Sequence, residues 1–90
     1  MKVACIQTEP KKSIEDALQE ALNLSSDAIE EKVDFLFLPE YCGGISSNGK
    51  SYTPPSEFEK KHLFLQEFKK FSKYNSVWTL IGSIAVKLDN

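Results

Sequence analysis

Glu40 is the residue in this sequence best placed to do chemistry. It follows Pro39, which itself follows the apolar run Phe35–Leu38. Because proline fixes its own φ and biases the preceding residue towards extended geometry, the carboxylate is expected to be held rigidly. Enclosure in a dry pocket would favour the protonated form of such a carboxylate, which suits a general base near neutral pH. Residue types alone leave open the alternative that Glu40 is a solvated loop residue.

Four other side chains in the sequence could do chemistry. Cys42 lies two residues from Glu40, but a nucleophile also needs an oxyanion site, so Cys42 is interpreted as a small loop residue at a pocket rim. Cys5 lies in an apolar run and is expected in the core. His62 is expected to be solvated on the polar side of a helix. Tyr41 could line a substrate pocket or anchor its loop.

Composition excludes several classes of function. The chain has 90 residues, of which 13 are acidic and 11 are lysine, with no arginine, which argues against a nucleic-acid partner. The apolar runs are too short to span a membrane, and the N-terminus does not resemble a secretion signal. Two cysteines make no disulfide framework, so a cytoplasmic location is expected. No spacing typical of a metal site or of a nucleotide-binding loop is present.

The hydrophobic pattern predicts the elements that would hold Glu40 in place. Ser13 is expected to cap the first helix, and Ser56 with Glu59 has the spacing of a capping box for the second. The segment 41–55 is rich in Gly, Ser, Asn and Pro and is longer than a usual strand-to-helix loop. Apolar runs at 3–6, 35–38 and 77–86 predict strands, and amphipathic periods at 13–31 and 56–75 predict helices.

The order strand, helix, strand, helix, strand predicts an α/β fold with parallel strands and right-handed crossovers. Ligands of such sheets bind beyond the carboxyl ends of the strands, where residues 7–9 and 39–41 and the segment after Val86 are expected. Strands that are apolar on both faces need cover on both faces. The pattern leaves open whether the two helices share a face of the sheet.

Two segments resemble the N-terminal part of the nitrilase superfamily, the carbon–nitrogen hydrolases. They are residues 3–8, Val-Ala-Cys-Ile-Gln-Thr, and residues 34–41, Asp-Phe-Leu-Phe-Leu-Pro-Glu-Tyr; residues 81–86 look like the third strand of that family. The resemblance implies that residues 1–90 are the β-α-β-α-β portion of an α-β-β-α sandwich, an incomplete N-terminal part of the domain. It also implies a Glu–Lys–Cys catalytic set in which Glu40 is the glutamate and the other two members lie past the third strand.

The function implied by the resemblance is hydrolysis of a non-peptide amide or a nitrile. A cysteine attacks the carbon, Glu40 accepts the thiol proton, and lysine stabilises the intermediate, without metal or cofactor. The partner would be a small amide bound near Tyr41. The 90-residue chain is expected to be inactive alone and to expose an apolar sheet face, through which it could associate or form a homo-oligomer. The alternative is a small non-catalytic α/β module that binds a ligand through residues 41–55.

Overall fold

The computed structural model describes residues 1–47 and 52–88, which are built around a three-stranded parallel sheet. Helix α1 spans Ile14–Glu30 and helix α2 spans Leu63–Asn75, preceded by a 3₁₀ turn at Glu59–Lys61. The strands are β1 (Val3–Cys5), β2 (Phe35–Leu38), β3 (Ser46–Ser47), β4 (Tyr52–Thr53), β5 (Ser56–Phe58), β6 (Trp78–Ile81) and β7 (Ala85–Lys87).

The central sheet has the order β1-β2-β6, and both pairings are parallel. Phe35 of β2 lies between Val3 of β1 and Trp78 of β6. Helix α1 connects β1 to β2 and helix α2 lies between β2 and β6, so the predicted β-α-β-α-β order and the α/β fold class are confirmed. The run 77–86 is not one strand, because β6 ends before Gly82 and β7 pairs instead with β5, in parallel.

Both helices lie on the same face of the sheet, which settles the point that the sequence left open. The buried core combines inward residues of β2 with residues of both helices. Phe64 and Phe68 of α2 stack with ring centroids 4.9 Å apart. The core members from these elements are Ala17, Leu18, Ala21, Leu36, Leu38, Phe64 and Phe68.

The opposite face of the sheet exposes large apolar side chains, as the sequence predicted. Trp78 is 75% exposed and Leu80 is 53% exposed. Cys5 is also exposed, next to Phe37 of β2, so its expected place in the core is wrong. The error has a simple reason: alternate residues of β1 point to opposite faces, and only one face is covered.

Helix α1 begins as predicted. The Ser13 hydroxyl accepts a hydrogen bond from the backbone N–H of Asp16 at 3.1 Å. The predicted start of the second helix is wrong, because Ser56 lies in β5 and α2 begins seven residues later, at Leu63. Pairing of β5 with β7 takes the residues that the capping-box spacing assigned to the first helical turn.

Candidate active site

The carboxyl ends of the three core strands meet at one edge of the sheet. Ile6 extends the β1 ladder, since its N–H donates to the Phe37 carbonyl at 2.8 Å. Strand β2 leads into Pro39 and Glu40, and β6 leads into Gly82 and Ser83. This is the edge at which parallel α/β sheets bind their ligands.

Glu40 lies in a turn at this edge, two residues beyond the end of β2. Its side chain is exposed in the 90-residue chain rather than enclosed in a dry pocket. The position at the strand end agrees with the sequence prediction, whereas the expected desolvation would require further cover. A role of Glu40 as general base stays a prediction.

Gly82 brings the end of β6 against the backbone that precedes Glu40. A Cβ at position 82 would lie 2.5 Å from the carbonyl carbon of Pro39 and 2.6 Å from the Leu38 and Pro39 carbonyl oxygens. These atoms are backbone and cannot rotate away. A glycine is therefore required here for the two strand ends to approach each other.

Tyr41 adopts a left-handed backbone conformation with φ 55°. This region is uncommon for residues other than glycine, and it is costly for a bulky side chain. The Tyr41 N–H donates to the Ser83 hydroxyl at 2.8 Å, and the Gly44 N–H donates to the Tyr41 carbonyl at 3.0 Å. The backbone of Tyr41 is anchored while its ring is half exposed, so a substrate-lining role for the ring stays a prediction.

Cys42 is buried below the turn. Its thiol lies 3.6 Å from the Ser83 carbonyl, to which it donates a weak hydrogen bond. Burial raises the pKa of the Cys42 thiol above its ordinary value. Since the thiolate is the nucleophilic form, this environment disfavours Cys42 as a nucleophile, in line with the interpretation of Cys42 as a loop residue.

The segment before α1 supports the other end of the turn. The Ile45 N–H donates to the Lys11 carbonyl at 2.6 Å, and Gly44 with φ 111° packs against the same carbonyl. Lys11 is in turn paired with Glu20 of α1 at 3.1 Å. The residues that follow Glu40 are thus held between the segment before α1 and the segment after β6.

His62 is buried, and its expected solvation is wrong. It lies at the N-cap of α2 with none of its side chain exposed, and neither ring nitrogen has a hydrogen-bond partner among the described residues. A Cβ on Gly43 would lie 3.7 Å from the His62 ring. Burial lowers the pKa of His62, although the Ala85 backbone and the Glu57 carboxylate oppose this shift. No local period predicts this burial, because residues that approach His62, such as Gly43 and Ala85, come from distant parts of the chain.

Segment 41–55 is only partly described. Strands β3 and β4 form an antiparallel hairpin within it, and the Ser46 hydroxyl donates to the Thr53 carbonyl at 3.0 Å. Residues 48–51 of the predicted binding loop lie outside the described residues. Ligand binding by this loop therefore stays an alternative prediction.

A cleft of about 580 Å³ lies away from Glu40, between α2 and the free edge of β6. Phe68, Lys73 and Trp78 are among its lining residues. None of the residues of the Glu40 turn lines this cleft. In residues 1–47 and 52–88 no three His, Cys, Asp or Glu side chains cluster as metal ligands would.

The described residues form a mixed α/β fold of parallel strands and two helices, with Glu40 just past the end of the central strand. The sequence model of the family described as Carbon-nitrogen hydrolase matches residues 2–90. The chain therefore belongs to the carbon–nitrogen hydrolase family, the nitrilase superfamily. No curated protein and no solved structure shows a significant match to the chain. Among the described helices none is long and apolar enough to cross a membrane.

Proposed function

We propose that this chain supplies the general base of an enzyme that hydrolyses a carbon–nitrogen bond in a small non-peptide amide or nitrile. Glu40 is the proposed base, and Tyr41 is proposed to line the substrate pocket. Residues 1–90 would form the N-terminal part of the catalytic domain. The nucleophilic cysteine and the lysine of the family's catalytic set would come from polypeptide beyond these residues.

The observation that carries the proposal is the position of Glu40 in the fold of a chain that belongs to the carbon–nitrogen hydrolase family. It lies directly past the end of the central strand β2, at the edge where ligands of parallel sheets bind. The neighbouring backbone is restrained, because Gly82 packs on Pro39 and Ser83 binds Tyr41. Restraint of this kind is what a proton-transfer group needs in order to meet its partner at hydrogen-bond distance.

Glu40 would act twice in such a reaction. With an amide substrate it would first accept the proton of the attacking thiol and pass it to the departing ammonia or amine. It would then take a proton from the water that hydrolyses the thioester and return it to the regenerated thiol. The lysine would stabilise the oxyanion, so the protons balance without a metal ion.

The described residues do not assemble this machinery by themselves. Cys5 lies on the exposed sheet face and Cys42 is buried with a raised pKa, so neither provides a thiolate at the edge. Glu40 is exposed, whereas a desolvated base requires a covered pocket. We therefore expect the 90-residue chain to be inactive alone and to require a second layer over its exposed sheet face.

The test uses the longest product of the gene that contains this chain, together with the 90-residue chain. Release of ammonia from a panel of small amides and nitriles is measured for each. Glu40→Gln is expected to reduce hydrolysis by the longer product about a hundred- to ten-thousand-fold. Glu30→Gln, an exposed residue at the far end of α1, is the matched control and is expected to keep full activity.

Two outcomes would contradict the proposal. The first is hydrolysis by the longer product that Glu40→Gln leaves unchanged. The second is hydrolysis by the purified 90-residue chain above the uncatalysed background, which would show that hydrolysis does not need a cysteine and a lysine from further polypeptide.

A further inference from the structure

The turn that carries Glu40 is fixed by a residue from a distant part of the chain. The N–H of Tyr41 donates to the hydroxyl of Ser83, 42 residues away, at 2.8 Å. Tyr41 itself is in the left-handed region, with φ 55°. A hydrogen bond to this N–H therefore stabilises a backbone conformation that a tyrosine would not adopt on its own.

Glu40 lies between two restrained neighbours. On one side the pyrrolidine ring fixes the φ of Pro39, and Gly82 packs against the Pro39 carbonyl. On the other side Tyr41 is bonded through its N–H to Ser83 and through its carbonyl to the Gly44 N–H. The Tyr41 N–H belongs to the peptide that joins Glu40 to Tyr41, so its hydrogen bond to Ser83 orients the backbone of Glu40 directly.

Gly82 explains how the Ser83 hydroxyl can reach the Tyr41 N–H. Because position 82 has no side chain, the chain leaving β6 approaches the Pro39 backbone closely enough for the next residue to reach Tyr41. Serine combines the short reach that this approach requires with an oxygen that accepts a hydrogen bond. The Ser83 carbonyl also accepts from the buried Cys42 thiol at 3.6 Å, so this one residue contacts two successive residues of the turn.

We propose that Ser83 is a positioning residue for Glu40, acting through the Tyr41 N–H to set the direction in which the carboxylate leaves the sheet edge. This inference rests on the proposed function, since it matters to catalysis only if Glu40 is the base. It assigns no contact between Ser83 and substrate. The structural part of the inference can be tested without any catalysis.

The first test measures amide hydrogen exchange in the 90-residue chain. Ser83→Ala is expected to speed exchange of the Tyr41 N–H by about two- to tenfold, which corresponds to the loss of one ordinary hydrogen bond. Ser83→Thr keeps the hydroxyl and is expected to restore slow exchange. Ser46→Ala is the matched control, because the Ser46 hydroxyl bonds to Thr53 in the hairpin and does not touch Tyr41.

The Ile6 N–H reports whether the sheet itself is intact, since it donates to the Phe37 carbonyl within the ladder. Its exchange is expected to be the same in all variants. Faster exchange of the Tyr41 N–H with unchanged exchange of the Ile6 N–H supports the proposal. Unchanged exchange at Tyr41 in Ser83→Ala, or equal acceleration at both amides, overturns it.

Thiol labelling provides a second measurement in the same chain. Cys5 is exposed and is expected to react at the same rate in every variant, whereas Cys42 is buried and is expected to react slowly. Ser83→Ala is expected to raise the labelling rate of Cys42 severalfold, because the turn above it loosens, and Ser83→Thr is expected to reverse this. Equal labelling of Cys42 in all three proteins would overturn the proposal.

The catalytic part is tested in the longer gene product. Ser83→Ala is expected to lower kcat at least tenfold with KM nearly unchanged, and Ser83→Thr is expected to recover most of kcat. If Glu40→Gln also lowers hydrolysis, an unchanged kcat in Ser83→Ala overturns the positioning role alone. If Glu40→Gln has no effect, the proposed function fails, and the exchange and labelling results decide separately whether Ser83 holds the turn.

Discussion

The backbone of Gly82 packs directly against the backbone of Pro39 at the edge of the sheet. A Cβ on Gly82 would lie 2.5 Å from the Pro39 carbonyl carbon, closer than real Cβ contacts allow. The two residues directly follow the neighbouring strands β6 and β2, and the contact lies next to Glu40. The position of Glu40 thus depends on the absence of a Cβ at Gly82, a residue that has no side chain to take part in the reaction.

We expect Gly82→Ala to destabilise the chain by about 1–3 kcal/mol, because the added methyl must push the Pro39 backbone away. Urea unfolding measures this difference. Gly43→Ala is the control: its Cβ would meet a methyl group of Ile84 at 3.0 Å, and a side chain can shift where a backbone cannot. Equal stability of Gly82→Ala and the wild-type chain would show that the edge is looser than its geometry indicates.

His62 is expected to make the stability of the chain fall in mildly acidic solution. Burial lowers the pKa of His62 in the folded state, so the unfolded state takes up a proton first, near its ordinary pKa of about 6.5. Below that pH the unfolded state binds more protons than the folded state, and stability declines as pH falls until the folded-state pKa is reached. The decline is expected to begin near pH 6.5.

The variant that tests this is His62→Phe, which keeps a ring in the same space and cannot titrate. Neither nitrogen of His62 has a hydrogen-bond partner among the described residues, so the substitution leaves no new polar group unpaired. Urea unfolding at pH 7.5 and pH 5.5 is expected to show a smaller loss of stability in His62→Phe than in the wild-type chain. An identical loss in both would assign the pH dependence to other groups.

Much of this arrangement is predictable from local pattern, and the errors have a common cause. Ser13 and Pro39 act on their immediate neighbours, and the start of α1 and the end of β2 are where the sequence places them. The predictions for Ser56 and His62 are wrong because β5 pairs with β7, nearly thirty residues later, and no local period carries that information. The prediction for Cys5 is wrong because a run that is apolar at every position does not show which face of the sheet a helix will cover.

A second dependence on pH is expected from Glu20. The Glu9 N–H donates to the Glu20 carboxylate at 2.6 Å and the Lys11 ammonium lies 3.1 Å from it, and these contacts lower the pKa of Glu20. A carboxylate whose pKa is lowered on folding stabilises the fold above its unfolded pKa, and this contribution is lost as pH falls through the folded-state value.

Glu20→Gln tests this contribution. The variant is expected to melt at a lower temperature than the wild-type chain at pH 7, and the gap is expected to narrow at acidic pH, as Glu20 becomes protonated in the folded state. Differential scanning calorimetry at pH 7 and at acidic pH measures both. Asp27→Asn, on an exposed position of the same helix, is the control and should show little difference. A gap that is equal at both pH values would mean that the Glu20 contacts do not depend on its charge.

The exposed sheet face is expected to drive association of the chain. Leu80 lies in β6 among apolar side chains that no helix covers, and burying a leucine side chain contributes about 1.5–3 kcal/mol. Leu80→Lys is therefore expected to weaken association about ten- to a hundredfold. Leu24→Lys is the matched control, since Leu24 is partly exposed on α1, on the other side of the sheet. Sedimentation velocity over a range of concentrations measures the association of both variants. The fluorescence of Trp78, the single tryptophan, reports separately whether the sheet face becomes buried. If Leu24→Lys weakens association as much as Leu80→Lys does, the contact runs through the helices, and the sheet face is not the surface that a second layer covers.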